Sequence, residues 1–274
     1  KAVSSERATA LYGVPTMFIA LLEHPKFAEY DLSSLRTGVM AGATCPIEVM
    51  KKVISQMHMS EVQIAYGMTE TSPVSTQTGA DAPLDKRVST VGRTQPHLES
   101  KIINAQGKIV PRGEIGELCT RGYSVMIGYW NNEDATLKAI DSNGWMHTED
   151  LATMDDEGYI SIIGRSKDMV IRGGENVYPR EIEEFLYTHP LISDAQVTGV
   201  PDPKFGEELV AWVILKPGET LTEQEIRDYC RDKIAYYKVP RYIKFTDAFP
   251  MTVTGKIQKF KMRETSIEEL GLDK

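Results

Sequence analysis

Cysteine is scarce in this chain of 274 residues: Cys45, Cys119 and Cys230 are odd in number, far apart and outside CxxC spacing. That excludes a disulfide framework, and the spacing gives no zinc site. The three read as reduced thiols of an intracellular protein. Long apolar runs are also missing. No segment approaches the roughly 18–20 uninterrupted apolar residues of a bilayer span, so no transmembrane segment is expected. An excess of positive charge is absent too, with 31 basic against 39 acidic residues and a net charge of −8. A nucleic-acid partner is therefore not expected. The opening residues KAVSSERATALYGVP contain no charged segment leading into an apolar one, which excludes a secretory signal. They also lack an initiator methionine and begin within a helical pattern, so a piece of a longer protein is expected.

What is present is an ordinary globular balance, 41% hydrophobic and 26% charged, over a length that suggests two domains or one large one. In residues 1–90 helical and short apolar segments alternate. Met50, Val53, Ile54 and Met57 recur at i, i+3, i+4 and i+7, one buried helix face. Residues 37–41 and 62–66 read as short strands, each followed by a Gly-containing turn, and the alternation predicts a parallel α/β sheet. From about 91 to 164 the texture changes to short strands broken by turns (KIINAQGKIVP, GELCTRG, MDDEGYISIIG), a small antiparallel sheet or distorted barrel. A third stretch predicts strands near 169–171, 194–199 and 209–215, helices near 179–188 and 222–234, and a basic tail. Pro179 suits a first helical turn, and Thr222 with Glu225 has capping-box spacing.

Four segments could carry chemistry. In IAYGMTETSP a strand ends at Tyr66, Gly67 frees the backbone for a turn, and Thr69 and Glu70 follow at the carboxyl edge of the sheet. A hydroxyl beside a carboxylate suits a phosphate–Mg²⁺ site, since hard cations take oxygen ligands; a merely capped turn is the alternative. Asp150 and Arg165, fifteen residues apart, bracket an expected hairpin. A carboxylate can accept ribose hydroxyls and an Arg fork can hold a phosphate, or the two are surface ion-pair residues. Gly173-Gly174 lets backbone approach a ligand or simply makes a tight turn. Lys256, after a flexible Thr-Gly, could bring a point charge to a phosphate or carboxylate, or be an ordinary solvated lysine. His58, His97 and His189 have no partner in sequence and no catalytic role is assigned to them.

Together the segments resemble the adenylate-forming (AMP-binding) superfamily of acyl-CoA synthetases, luciferases and peptide-synthetase adenylation domains. The matches run in family order through YGVPTMF (12–18), AGATCP (41–46), YGMTET (66–71), GELCTRGYSVMIGYW (116–130), GWMHTED (144–150), GRSKDMVIRGGENVYPREIE (164–183) and TGKIQK (254–259). RSKDMVIRGGENVYP is most similar to the medium- and long-chain fatty acyl and aryl-acid CoA ligases.

The resemblance implies an α/β plus α+β chain. Residues 1–166 would be the C-terminal part of the large AMP-binding domain (1–90 a parallel α/β segment, 91–166 a small β-barrel), and 167–274 a swinging α+β domain. It implies an ATP-dependent carboxylate–CoA ligase working through an acyl-adenylate, with ATP, Mg²⁺ and CoA. Alternatives are an adenylation domain serving a carrier protein and an inactive nucleotide-binding fragment. By resemblance, Tyr66 stacks on adenine within the Tyr66-Gly67-Met68 turn, Thr69 contacts phosphate and Glu70 ligates Mg²⁺. Gly42 and Ala43 run past the adenine and acyl pocket, with Val14, Met40 and Met68 as lining. Asp150 holds the ribose hydroxyls, Arg165 the ribose–phosphate region and Lys167 the hinge. Gly173 and Gly174 line the pantetheine tunnel, and Lys256 is the adenylation lysine. Thr69, Glu70 and Lys256 would be catalytic.

Two departures stand out. The family's Ser/Thr/Gly-rich phosphate loop precedes the first of these motifs and is not in this sequence, so this chain alone is expected to be inactive. Glu149 also stands where the family usually has Gly. The expected partners are a small-molecule carboxylic acid, ATP and CoA, the missing N-terminal half of the same protein, and a homodimer. The expected location is cytoplasmic, or the mitochondrial matrix if a transit peptide lay upstream.

Overall fold

A computed structural model describes residues 1–43, 45–253 and 255–272. Thr44 and Thr254, which fall inside the AGATCP and TGKIQK motifs, lie outside the described residues. The chain divides into two compact units, Lys1–Ile163 and Gly164–Lys274.

The first unit begins with α1 (Ala2–Glu6), β1 (Ala10–Gly13), α2 (Pro15–Leu22), β2 (Thr37–Ala41), α3 (Ile47–Gln56) and β3 (Glu61–Tyr66). The three strands are parallel in the order β1-β2-β3. The expected stripe on α3 is buried, with Met50, Val53 and Met57 at most 1% exposed; Phe18 of α2, Met40 of β2 and Val62 of β3 pack in the same core. The sheet is not wholly parallel. Two-residue strands β4 (Thr76–Gln77) and, beyond α4 (Leu84–Ser89), β5 (Arg93–Thr94) add to it antiparallel. Such short pairings carry no readable period.

Next come β6 (Leu98–Ile103), β7 (Gly116–Gly122), α5 (Glu133–Ala139), β8 (Met146–Met154) and β9 (Ile160–Arg165). Of the sheet and the barrel expected for this stretch, the structure has the sheet, open and four-stranded in the order β6-β7-β8-β9, and the small barrel implied by the resemblance is not formed. Four short strands are too few to close around a filled interior.

The second unit contains β10 (Val170–Arg172), β11 (Glu175–Val177), α6 (Pro179–Leu186), β12 (Ile192–Asp202), β13 (Gly206–Leu215), α7 (Glu223–Cys230), β14 (Tyr242–Phe245) and α8 (Lys259–Leu270). Strands β12 and β13 pair antiparallel along nearly their whole length, and β14 joins β13 in parallel. Alternation on β13 divides the core. Leu209, Ala211 and Val213 pack with Ile182 and Leu186 of α6 and Ile226 of α7, while Val210 and Trp212 pack with Met262 of α8. The basic tail expected here is therefore largely the last strand and a helix whose burial closes the second face. Trp212 Nε1–H donates to Ser266 Oγ at 2.9 Å, fixing α8 against the strand. The capping box formed as expected. Thr222 Oγ1 accepts the Glu225 N–H at 3.2 Å and Glu225 Oε2 accepts the Thr222 N–H at 2.8 Å. Among the described residues no helix is long and apolar enough to cross a membrane.

Candidate functional site

Parallel strands send their carboxyl ends to one edge, and three motifs of the first unit meet there. Gly13 pairs with Met40, and Ala41 pairs with Ala65. Val14, Gly42-Ala43 and Tyr66-Gly67 therefore leave the sheet side by side. Gly42 has φ +87°, and a Cβ on it would come within 3.3 Å of Val14 Cγ1. Gly67 is needed for a different reason than the freely turning backbone expected. A Cβ there would fall 1.8 Å from the Pro73 carbonyl oxygen, so the returning chain passes where a side chain would be. Met40, expected to line a pocket, is fully buried in the core.

The turn that follows is rigidly tied. Thr71, fully buried, accepts the Met68 N–H on Oγ1 at 3.1 Å while its own N–H donates to the Met68 carbonyl at 2.9 Å. Thr69 is left exposed and Glu70 half-buried on a 3-10 turn, Thr69–Thr71. Glu70 is held at both ends. Its carbonyl accepts the Met126 N–H at 2.8 Å, and its Oε1 accepts the Tyr129 hydroxyl at 2.9 Å. That bond raises the Tyr129 phenol above the ordinary tyrosine range. Tyr129 is placed in turn by Thr136 of α5, whose hydroxyl accepts the Tyr129 N–H at 2.9 Å. Sequence reasoning missed Tyr129, although it lies inside the GELCTRGYSVMIGYW motif. The Glu70 carboxylate suits a hard divalent cation, being an oxygen donor held in place by Tyr129.

Asp150 owes its position to a bulge. Cys119 of β7 pairs with His147 of β8, but Glu117 pairs with Leu151, so β8 carries two extra residues opposite Leu118. Glu149, inside this bulge, takes φ +59°, a left-handed conformation that favours glycine. The glycine usual in the family at this position would suit that backbone. Thr148 anchors the bulge by donating to the Leu118 carbonyl at 2.7 Å and accepting the Asp150 N–H at 3.1 Å. The re-aimed Asp150 is buried, and its Oδ2 accepts the Tyr66 hydroxyl at 2.6 Å. Two motifs 84 residues apart are joined by that hydrogen bond. No sequence spacing could have revealed it.

The remaining expected residues belong to the second unit. Arg165 and Lys167 are exposed at and just past the end of β9, with Lys167 in a 3-10 turn, Ser166–Asp168. Gly173 and Gly174 form the two-residue link between β10 and β11, with φ +60° and +90°. Both signs suit a type I′ hairpin turn, and the Gly173 N–H donates to the Phe205 carbonyl at 2.8 Å. The hairpin base is fastened by a buried pair. Arg172 Nη2 donates to Glu208 Oε2 at 3.1 Å, and Glu208 is fully buried. Burial lifts the Glu208 carboxyl above its usual range, with Arg172 opposing the shift. Lys256 is exposed on a turn closed by the Met251–Ile257 bridge. The Thr252 N–H donates to the Lys256 carbonyl at 2.8 Å, and Thr252 Oγ1 accepts the Lys256 N–H at 3.1 Å.

Comparison with known families decides the classification. Residues 1–130 match the model of the AMP-binding enzymes, and residues 181–256 match the AMP-binding enzyme C-terminal domain. The chain belongs to the AMP-binding enzyme family. It is 59% identical over 273 residues to the Bacillus subtilis (strain 168) protein YngI, whose name places it among the acyl-CoA synthetases, covering 99% of this chain and 50% of YngI. It is 46% identical to the mitochondrial medium-chain acyl-CoA ligase ACSF2 of Rattus norvegicus, covering 99% of this chain and 44% of that protein. Among solved structures it is similar to the anthranilate CoA ligase AuaEII in complex with anthranoyl-AMP. That match has a TM-score of 0.88 and 33% identity, over 96% of this chain and 51% of that one. This AMP-binding chain thus spans about half the length of the curated relatives it matches.

Proposed function

We propose that the protein carrying this chain is an AMP-forming acid–thiol ligase, joining a medium- or long-chain fatty acid to CoA through an acyl-adenylate. The observation that carries this reading is the Tyr66–Asp150 hydrogen bond at the β8 bulge. It sets an aromatic ring and a buried carboxylate next to each other at the carboxyl edge of a parallel sheet, the place where open α/β folds take nucleotides. The relatives named as medium-chain ligases support the acyl class.

In this reading the Tyr66 ring stacks on adenine while its hydroxyl holds Asp150 for the ribose. Gly42 and Ala43 pass the base and the acyl group. Glu70, steadied by Tyr129, and Thr69 hold Mg²⁺ and phosphate; the bound cation supplies charge neutralisation at the phosphates. Lys256 delivers its ammonium to the carboxylate and α-phosphate, where charge develops in the transition state. Lys167 is the hinge, Arg165 meets the ribose–phosphate region, and the Gly173-Gly174 turn admits the pantetheine arm of CoA.

The test is carboxylate-dependent ATP–pyrophosphate exchange, followed by thioester formation with CoA, across fatty acids of increasing chain length. Exchange with octanoate-sized acids and a CoA thioester product is the expected result. Exchange without any CoA thioester, with acyl transfer to a carrier protein or an amine instead, would overturn the acceptor assignment.

A further inference from the structure

The two-residue alternation of a strand and the pairing of its neighbour put three metal-capable side chains on one face of the β6–β9 sheet. Glu117 and Cys119 are two apart on β7, and His147 of β8 is the direct cross-strand partner of Cys119. Cys119 Sγ lies 3.8 Å from His147 Nδ1, and His147 Nδ1 lies 3.0 Å from Glu117 Oε2. All three ligand atoms lie within 4.8 Å of one another. A tetrahedral zinc ion with bonds of about 2.3 Å to sulfur and 2.0–2.1 Å to nitrogen and oxygen needs about 3.6 Å between sulfur and nitrogen and about 3.3 Å between nitrogen and oxygen. The spacing found is within a few tenths of an ångström of both.

The surroundings also suit a cation. Asp141 Oδ2 stands 3.9 Å from His147 Nε2, too far for a hydrogen bond but close enough to add negative charge beside the ring. Of the cations nearby, Arg121 is paired with Glu99 through Nε at 3.0 Å and Nη2 at 2.8 Å, while Lys101 is a positive neighbour of Cys119 and Asp141. Against Lys101, the carboxylates of Glu117, Asp141 and Glu149 are in the majority. His147 and Glu117 are each about a quarter to a third exposed, which gives an entry path. Cys119 lies at the floor. Glu117 Oε1 accepts the Glu149 N–H at 3.1 Å, so a cation on Oε2 leaves the bulge bond in place.

We propose that Glu117, Cys119 and His147 form a site for a zinc-class divalent cation. The site is separate from Glu70 and lies outside the residues assigned to the ligase reading. Binding forms a metal–sulfur bond and releases the thiol proton to solvent; unbound, burial first and Glu117 second hold that thiol up at about 12. The cysteine spacing in the sequence gave no hint of such a site, because its ligands come from neighbouring strands 28 to 30 residues apart.

Cobalt(II), a coloured stand-in for zinc, tests this directly by titration into the protein in excess Mg²⁺. One equivalent should bring up a sulfur-to-cobalt charge-transfer absorption that added zinc abolishes. Cys119→Ser should lose the band and Cys45→Ser should keep it. Should Cys119→Ser fail to fold, His147→Gln decides at a partly exposed position, and loss of the band supports the site. A band that persists in a folded Cys119→Ser or in His147→Gln, or no band at all, means that the triad is only a hydrogen-bonded cluster.

Discussion

The two units hold their expected functional residues in opposite ways. In the first, Tyr66, Glu70 and Asp150 are at least half-buried, and each is fixed by a hydrogen bond from or to another motif. In the second, Arg165, Lys167 and Lys256 are exposed, and the two glycines occupy a hairpin turn. The first arrangement is what a nucleotide clamp needs, because groups already oriented lose nothing in reorganising when charge develops. The second suits groups that must arrive and leave. In the proposed reading, a lysine on an exposed turn, carried by a unit with its own core, would deliver charge by motion of the whole unit rather than of a side chain.

The comparison can be broken at several strengths. The largest expected effect is structural. Met262→Ala should destabilise the second unit by about 2–5 kcal/mol, since it removes a fully buried side chain; denaturant unfolding of the variant measures it. A loss under about 1 kcal/mol would mean that α8 is not integral to that core. Next, Asp150→Ala should weaken ATP and AMP alike by about 1.5–3 kcal/mol, the worth of hydrogen bonds to a charged group. Calorimetry that finds both dissociation constants unchanged removes Asp150 from the clamp.

A pH series separates the units further. Asp194, buried beside Tyr187, has its carboxyl lifted to about 6, chiefly by desolvation. Its folded value thus exceeds its ordinary one of 3.8, so the folded state favours the neutral form. That stability is complete below about pH 4 and is lost as the pH rises through about 6. Asp194→Asn should therefore gain on the wild type across this window in thermal melts; parallel curves would show that Asp194 does not titrate there. The smallest effect is at the bulge. Glu149→Gly should raise stability by about 1 kcal/mol by relieving a left-handed backbone, and should tighten nucleotide or leave it unchanged. A lower melting temperature would show that the Glu149 side chain contributes more than its backbone costs.

Much of this was legible in the sequence, for physical reasons that differ by element. Strands 37–41 and 62–66, the α3 stripe and the Thr222–Glu225 box were readable because each is local: a period or a cap lies within about ten residues. Helix α8 was not, since KFKMRETSIEEL distributes charge around the helix and buries only Met262 and Ser266. Gly271, at φ +64°, was the available stop signal. The family motifs supplied Tyr66, Glu70 and Asp150 by resemblance, but not what fixes them. Tyr129 on Glu70, the bulge under Asp150 and the Cys119–His147 pair are all contacts between strands or loops whose register only the folded chain decides.

The central claim is that the first unit holds the nucleotide while the second brings Lys256 for one step only. Lys256→Ala in the protein carrying this chain tests it through single-turnover measurement of both half-reactions. Acyl-adenylate formation should slow by on the order of 10²–10³, the cost of one lost electrostatic contact in the transition state, while thioester formation from supplied acyl-AMP keeps its rate. Equal slowing of both steps would contradict the division of labour between the units.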